Sequence, residues 1–330
     1  MIEIKEKIRV PKYKQIIKSI EDAILTGNLQ KGDQLPSINV IKNTHSLSRD
    51  TVLTAFSDLK NRGIIQSVVG KGYYVASENI NVTQKVFLLF DELNSFKEDL
   101  YNTFLDSLGD NIQVDIYFHH FNASIFSKLI HDNLGDYNYY VIMPANLKDT
   151  NNSIKNLPED KVFILDQVHE DLKSYPAIYQ NFEKDIYSNL KKASHLINKY
   201  KKLILVFHPV KQPFGMQKGF VSFCEEYKLA YDIINSLEDK TPQKGHLYVI
   251  PDDKNLLQVI KKIKSEELIL AKDVGVISYN ETLLKEIVGN GITTISTDFN
   301  AMGKRLAEMI LNKEQLQIEN PNHLIIRNSL

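Results

Sequence analysis

Between Leu35 and Val75 the chain reads LPSINVIKNTHSLSRDTVLTAFSDLKNRGIIQSVVGKGYYV. Pro36 suits a first helical turn, where its missing N–H would find no partner anyway. Ile38 and Ile41 give a short helix its apolar contacts. The segment Asn43 to Ser48 is too polar and cap-rich to continue that helix, and predicts a turn. Ser48 is a good N-cap for a second helix, and Asp50 suits its positive N-terminal end. Val52, Ala55, Phe56 and Leu59 recur at helical spacing and give the second helix one buried face. Gly63 ends it. Ile64-Ile65 and Tyr73-Tyr74-Val75 are short strand candidates joined across Gly70-Lys71-Gly72, a hairpin tip. Helix, turn, helix and hairpin in this order predict a winged helix-turn-helix, which sets its second helix into the major groove of DNA.

That helix presents Ser48, Arg49, Asp50 and Thr51 at its exposed start, where recognition helices reach base edges and phosphates. Arg49 can fork onto a guanine edge or a phosphate, and Ser48, Thr51 and backbone N–H groups can hold phosphate oxygens. Lys71 at the hairpin tip can lie along the sugar-phosphate backbone. N-terminal to this stretch, Ile16, Ile17, Ile20, Ala23 and Ile24 form a helical stripe within Tyr13 to Thr26, read as core for the same module. The pieces GNLQKGDQLPS (27–37), LSRDTV (47–52), GII (63–65) and GKGYYV (70–75) occur in this order and spacing. On them, the region from Tyr13 to about Ala76 resembles the winged-helix domain of the GntR family of bacterial regulators. The resemblance implies DNA contacts at Arg49, Thr51, Gly70 and Lys71, with Ser37, Asn39, Ser48 and Asp50 as further candidates. The family often has arginine where this chain has Asn39 and Leu53.

The chain has 330 residues, 43% hydrophobic and 25% charged, which fits a packed protein of two or three domains. Its net charge of −1 hides an asymmetry: +5 through Val75 and −6 beyond it. A basic small domain on an acidic larger one suits a protein that touches DNA with one end. The single cysteine, Cys224, allows no intramolecular disulfide and fits a reducing compartment. The first residues mix charges without an apolar signal core, and no apolar run approaches the roughly 20 residues needed to span a bilayer. A soluble cytoplasmic protein without membrane contact is expected.

Ala76 to Lys85 is polar and weakly patterned, and reads as a linker. From Val86 onward short apolar runs (VFLLF, VDIYF, YYVIM, VFILD, LILVF, LYVI, VGVIS) alternate with amphipathic stretches. Such alternation predicts parallel sheets flanked by helices, and the run is long enough for two lobes with a cleft at the carboxyl ends of their strands. Asp166, Asp252, Asp253, Asn280 and Glu281 each sit where an apolar strand should end, facing that cleft. Carboxylates and amides there can take adjacent sugar hydroxyls, and Phe96 or Tyr279 can cover a sugar's apolar face. Asp252 and Asp253 serve equally well as helix caps.

The residues DVGVISYNE (273–281), GITTI (291–295), Met302-Gly303, Ala307 and LIIRNS (324–329) resemble the sugar-sensing domain of LacI-type repressors, built like periplasmic sugar-binding proteins. A GntR-type head on such a body is similar to the arabinose-repressor branch of the family. The resemblance implies ligand contacts at Asp166, Asn181 and one of Asp252 or Asp253. Those relatives commonly carry arginine near Met216, three residues before Gly219, and here Gln217 and Lys218 are the candidates to substitute for it.

The expected fold is α/β: a winged helix-turn-helix (1–76), a linker (77–85) and a two-lobed periplasmic-binding-protein-like domain with parallel sheets (86–330). The expected function is a homodimeric, sequence-specific repressor of a carbohydrate operon, binding double-stranded operator DNA and a monosaccharide effector. The alternatives are a non-sugar effector, or a body resembling a pyridoxal-phosphate enzyme. No HExxH, CxxC, Walker or nucleotide-type GxGxxG sequence occurs, so neither metal, cofactor nor catalysis is expected.

Overall fold

A computed structural model describes residues 2–4, 10–238 and 240–330. The head contains helices α1 (Lys12–Leu25), α2 (Ile38–Thr44) and α3 (Arg49–Asn61) and an antiparallel hairpin of β1 (Ile65–Val68) and β2 (Gly72–Val75). The isoleucine stripe of α1 meets Val52, Ala55, Phe56 and Leu59 of α3 in one core. Phe56 packs edge-on against Tyr73, with ring centroids 4.8 Å apart, so the hairpin is clamped to the second helix by an aromatic pair. Two local readings shift. Pro36 lies outside α2, because the Ser37 side chain caps that helix by accepting from Val40 N at 3.3 Å. The helix also runs through Asn43 and Thr44, so the turn starts at His45, with Ser46 left-handed at φ 52°.

The first lobe contains β3 (Gln84–Phe90), α4 (Ser95–Leu108), β4 (Ile112–Phe118), α5 (Ala123–Asp132), β5 (Tyr139–Ile142), α6 (Asn151–Ile154), β6 (Val162–Asp166) and β7 (Ala177–Tyr179). The second contains α7 (Phe182–Lys192), α8 (Ser194–Ile197), β8 (Lys202–Val206), α9 (Phe214–Glu226), β9 (Ala230–Ile234), β10 (His246–Ile250), α10 (Asp253–Ser265), β11 (Val274–Tyr279), α11 (Leu283–Ile287) and β12 (Thr293–Thr297). The chain then returns to the first lobe as α12 (Phe299–Asn312) and β13 (Gln317–Glu319), and ends in the second as β14 (Asn322–Ile325). β3 begins at Gln84, inside the stretch read as linker.

The two sheets share one plan. Their orders are β13-β7-β6-β5-β3-β4 and β14-β12-β11-β10-β8-β9, parallel throughout except for β14. Each is a doubly wound sheet in which the order reverses beside the first strand, and ligands bind outside such a switch point. Three crossings join the lobes: after β7, after β12, and between β13 and β14. Close helix contacts hold each lobe at a glycine. A Cβ on Gly219 would lie 2.2 Å from the backbone oxygen of Glu183, and one on Gly303 would lie 2.4 Å from that of Leu100. These set α9 on α7 and α12 on α4.

The head is fastened to the first lobe. Arg62, just past α3, donates to the backbone oxygens of Ile80 (2.9 Å) and Val82 (2.8 Å) in the connector, and pairs with Glu21 at 2.6 Å and Asp58 at 3.2 Å. Lys60 pairs with Asp136 of the first lobe at 2.5 Å. Gly63, at φ 70°, leaves room for the Lys85 side chain, whose Cδ lies 2.7 Å from where a Cβ would sit.

Candidate effector cleft and DNA-binding face

The DNA-facing candidates sit on three exposed elements. Ser48 caps α3 by accepting from Thr51 N at 3.1 Å, and the two hydroxyls lie 2.8 Å apart. This fixes the first turn, from which Arg49 and Asp50 project exposed. Arg49 has no protein partner among the described residues. Ser37 and Asn39 lie exposed at the start of α2, with the Ser37 hydroxyl engaged as a cap. Gly70, at φ 73°, and Lys71 form the exposed tip of the wing. Gln34 donates to the Lys71 backbone oxygen at 2.7 Å and steadies that tip. Beside it, the apolar Val69 is fully exposed.

Between the lobes lies a cavity of about 680 Å³, of a size that small-molecule sites commonly have. It is lined from the carboxyl ends of strands in both sheets: Asp91 and Glu92 after β3, Phe121 after β4, Asp166 ending β6, His208, Lys211, Gln212 and Pro213 after β8, Asn235 and Ser236 after β9, and Asn280 after β11. Of the effector candidates, Phe96, Asp166, Asp252, Asp253, Tyr279 and Asn280 line it. Phe96 is held by stacking on Phe299, with centroids 4.8 Å apart. Asp166 (φ 75°) and Asn280 (φ 61°) are both left-handed, a costly conformation that turns the chain sharply at the strand end.

Asn181, Gln217 and Lys218 are not brought to the cavity. Asn181 caps α7 by accepting from Lys184 N at 3.3 Å and donates to Glu319 at 3.1 Å. On α9, Met216 and Phe220 face inward, and the helical phase turns Gln217 aside and leaves Lys218 exposed. Asp252 lines the cavity but is committed as a cap: Asn255 donates to one oxygen through its backbone N (2.9 Å) and to the other through Nδ2 (2.8 Å). Asp253 pairs at 3.0 Å with Lys285, whose ammonium also donates to the backbone oxygens of Tyr279 and Asn280 at 2.7 Å each. Lys285 thus holds the Asn280 turn from beneath, and its deep burial lowers its pKa.

Sequence reading missed much of the cavity's polar lining, and three of the missed groups act on Asp166. Asp91 and Lys97 form a buried ion pair, 5% and 6% exposed, and the Asp91 carboxylate also accepts from Glu92 N at 2.5 Å. The third is Gln180 at the first crossing. Its Nε2 donates to Asp166 at 2.5 Å, while its Oε1 accepts from Thr297 and, at 3.4 Å, from Tyr279. Asp166 is 7% exposed, and burial pushes its carboxyl up to about 6 against the pull of Lys97. The signal for Asp91 was available, since it follows VFLLF as Asp166 follows VFIL. Lys97 and Gln180 carry none, because lysines and glutamines near helix starts are usually solvated. Nearby, Asp185 of α7 is buried with one oxygen unpaired, and burial, aided by Glu319, pushes it up to about 7.

Fold and site together define a class: a winged-helix head joined to a two-lobed, cleft-bearing body of the periplasmic-binding type. Residues 12–75 match the bacterial regulatory proteins, gntR family, and residues 193–330 match the periplasmic binding protein-like domain. The chain is 32% identical over 115 residues to the HTH-type transcriptional repressor YtrA of Bacillus subtilis, an alignment covering 35% of this chain and 85% of that one. The chain belongs to the GntR family of bacterial regulatory proteins. Further curated relatives are spanned over only 15–38% of their own length. Among solved structures, a LacI family transcriptional regulator from Silicibacter pomeroyi superposes with a TM-score of 0.63 at 16% identity, over 74% of this chain and 98% of that one. A periplasmic binding protein/LacI transcriptional regulator from Alkaliphilus metalliredigens, complexed with D-xylulofuranose, gives 0.59 at 14% identity, over 74% and 98%. At these identities the likeness is one of fold.

Proposed function

We propose that this chain is a sugar-responsive transcriptional repressor, with a head at 1–76, a connector at 77–85 and an effector domain at 86–330. The observation that carries the reading is the acceptor-lined cavity between two hinged lobes, joined through one short connector to a winged helix. Asn280 lines that cavity, and its Oδ1 is buried without a protein partner. An unsatisfied acceptor of this kind costs free energy until a donor such as a sugar hydroxyl reaches it. Ser37, Asn39, Ser48, Arg49, Asp50, Thr51, Gly70 and Lys71 form the operator face; Phe96, Asp166, Tyr279 and Asn280 contact the effector.

The working unit is a homodimer in the cytoplasm. Leu283 and Ile287 are 79% and 77% exposed on α11, and Leu257 is exposed on α10, the helix that Asp253 ties to α11 through Lys285. This apolar face suits a second copy of the chain. An enzyme of the pyridoxal-phosphate type is disfavoured, because Lys285 spends its buried amine on two carbonyls and a carboxylate. Among the described residues no His, Cys, Asp and Glu cluster fits a metal, and no helix is long and apolar enough to cross a membrane.

The test takes the full chain, a genomic operator selected by binding, and a panel of mono- and disaccharides. At least one sugar should raise the melting temperature and change operator affinity about tenfold or more, within the 1–3 kcal/mol usual for coupled sites. A panel in which no sugar does both would refute the assignment.

A further inference from the structure

The cavity has a marked charge pattern. Five carboxylates line it, from Asp91, Glu92, Asp166, Asp252 and Asp253, against three lysines and, among the described residues, no arginine. Two of the lysines are already paired: Lys97 with Asp91 in the floor and Lys211 with Glu92 at 2.8 Å across the mouth. Arg327, on the same side as Asn280, is drawn away by Glu281 at 2.8 Å and Glu286 at 3.4 Å.

The floor contributed by the first lobe is acceptor-rich at the level of single atoms. Asp91 and Asp166 are both buried, and both line the cavity. Each has one oxygen engaged, Asp91 by Lys97 and Glu92 N, and Asp166 by Gln180. The second oxygen of each has no protein partner among the described residues. Opposite them, the Asn280 Oδ1 is also unpartnered. Three acceptors without a protein partner, from two lobes, therefore belong to residues that line one cavity, and its first-lobe side holds two carboxylates for one ammonium. A group entering there must donate hydrogen bonds and must not bring negative charge, because desolvated like charges repel strongly.

Resting on the sugar reading above, we infer that the effector is a non-anionic sugar, neutral or amine-bearing, and that Asp166 is the residue that excludes sugar phosphates and sugar acids. Vicinal hydroxyls satisfy the free oxygens of Asp91 and Asp166 as paired donors, and an ammonium substituent does so with charge compensation. A phosphate or carboxylate meets acceptors where it needs donors.

The experiment is isothermal titration of the full chain with matched sets: glucose, glucosamine, glucose 6-phosphate and glucuronate; galactose, galactosamine, galactose 6-phosphate and galacturonate; ribose and ribose 5-phosphate. In every set that binds, the neutral or amine-bearing member should bind at least tenfold tighter than its anionic counterparts. Asp166→Asn, with an unchanged melting profile, should shrink that ratio at least fivefold. A phosphate or acid that binds as tightly as its neutral parent overturns this inference while leaving the sugar reading intact. So does an Asp166→Asn ratio equal to that of the wild type. Binding by no member of any set overturns both.

Discussion

Replacing Arg62 with alanine separates the sensing of an effector from its transmission to DNA. The guanidinium stands at the carboxyl end of α3 and holds two connector carbonyls, of Ile80 and Val82, at 2.9 and 2.8 Å. Hydrogen bonds from a charged donor contribute about 1.5–3 kcal/mol each, so fastening the connector is worth about 3–6 kcal/mol. The pairs with Glu21 and Asp58 add little, as partly exposed ion pairs do. That fastening exceeds the 1–3 kcal/mol carried between coupled sites, so its loss leaves the connector slack enough to absorb a movement of the body. In Arg62→Ala, effector affinity by titration should stay within twofold. Operator affinity without effector should fall by less than about fivefold, because Arg62 lies a full helix length from Arg49. The effector's influence on operator binding should collapse from tenfold or more to less than about threefold. Arg62→Lys, which keeps the charge but reaches one carbonyl, should fall between. Fluorescence anisotropy with labelled operator across an effector titration reads all three quantities. An Arg62→Ala protein with undiminished response would refute the claim that α3 is read through its connector.

Arg49→Ala should weaken operator binding by roughly 1–3 kcal/mol if the guanidinium pairs with a base, with effector affinity unchanged; gel-shift titration checks the first and calorimetry the second. Gly219→Ala forces a methyl against the Glu183 backbone oxygen, and should destabilise the second lobe by at least about 2 kcal/mol in urea unfolding; the neighbouring Lys218→Ala, exposed, should change neither stability nor effector affinity. Asp185 is held up to about 7, above its unfolded value, so the folded chain binds an extra proton and its stability falls as pH rises from about 4 to about 7. Asp185→Asn should therefore flatten that fall and raise Tm at pH 8 by roughly 3–8 °C, with little change at pH 4; equal pH profiles for the two proteins would remove Asp185 from the account.

The legible parts of the fold were those in which a local pattern and a tertiary role coincide. Ser48 reads as a cap and acts as one, and the 52–55–56–59 face of α3 is the face that packs. The long apolar strands could be read because strands buried on both faces must be apolar throughout. The edge strands β9 and β13 escaped notice because they are partly exposed, so their composition carries no such constraint, and the inner strand β7 because three residues are too few to show a pattern. Helix α7 was hidden differently: Asp185 and Asn189 lie on its buried side, where periodicity expects apolar residues. Asn189 serves the hinge by donating to Asn322, and such polar exceptions broke the pattern that would have revealed the helix. Within the site, acids at strand ends were found, whereas Lys97 and Gln180 acquire meaning only through partners distant in sequence.

The hinge explains how a contact in the cavity becomes a movement. Gln180 at the first crossing grips Asp166 with one end of its amide and Thr297 and Tyr279 with the other. Asn322 beyond the third crossing donates to the same Thr297 hydroxyl at 3.2 Å and accepts from Asn189 at 2.8 Å, while Asn320 donates to the Asp298 backbone oxygen at 2.9 Å across the second crossing. The crossings are thus stitched by buried amides whose bonds cannot be half made, which favours discrete lobe arrangements over a continuum. A ligand that engages the free oxygen of Asp166 acts on the same carboxylate that Gln180 holds through the other oxygen, and so biases the whole set. The division of labour between lobes then decides what the bias does. Lys60 ties the head to the first lobe and Arg62 ties it to the connector leading into that lobe, whereas the exposed apolar residues of α10 and α11 belong to the second. With the second lobes joined in the proposed dimer, any rotation of the first lobes carries the two recognition helices relative to one another. A fixed operator spacing penalises such a change at once, because half-sites lie a set number of helical turns apart. In the proposed dimer, a preference for one lobe arrangement set in the cavity is in this way converted into occupancy of DNA.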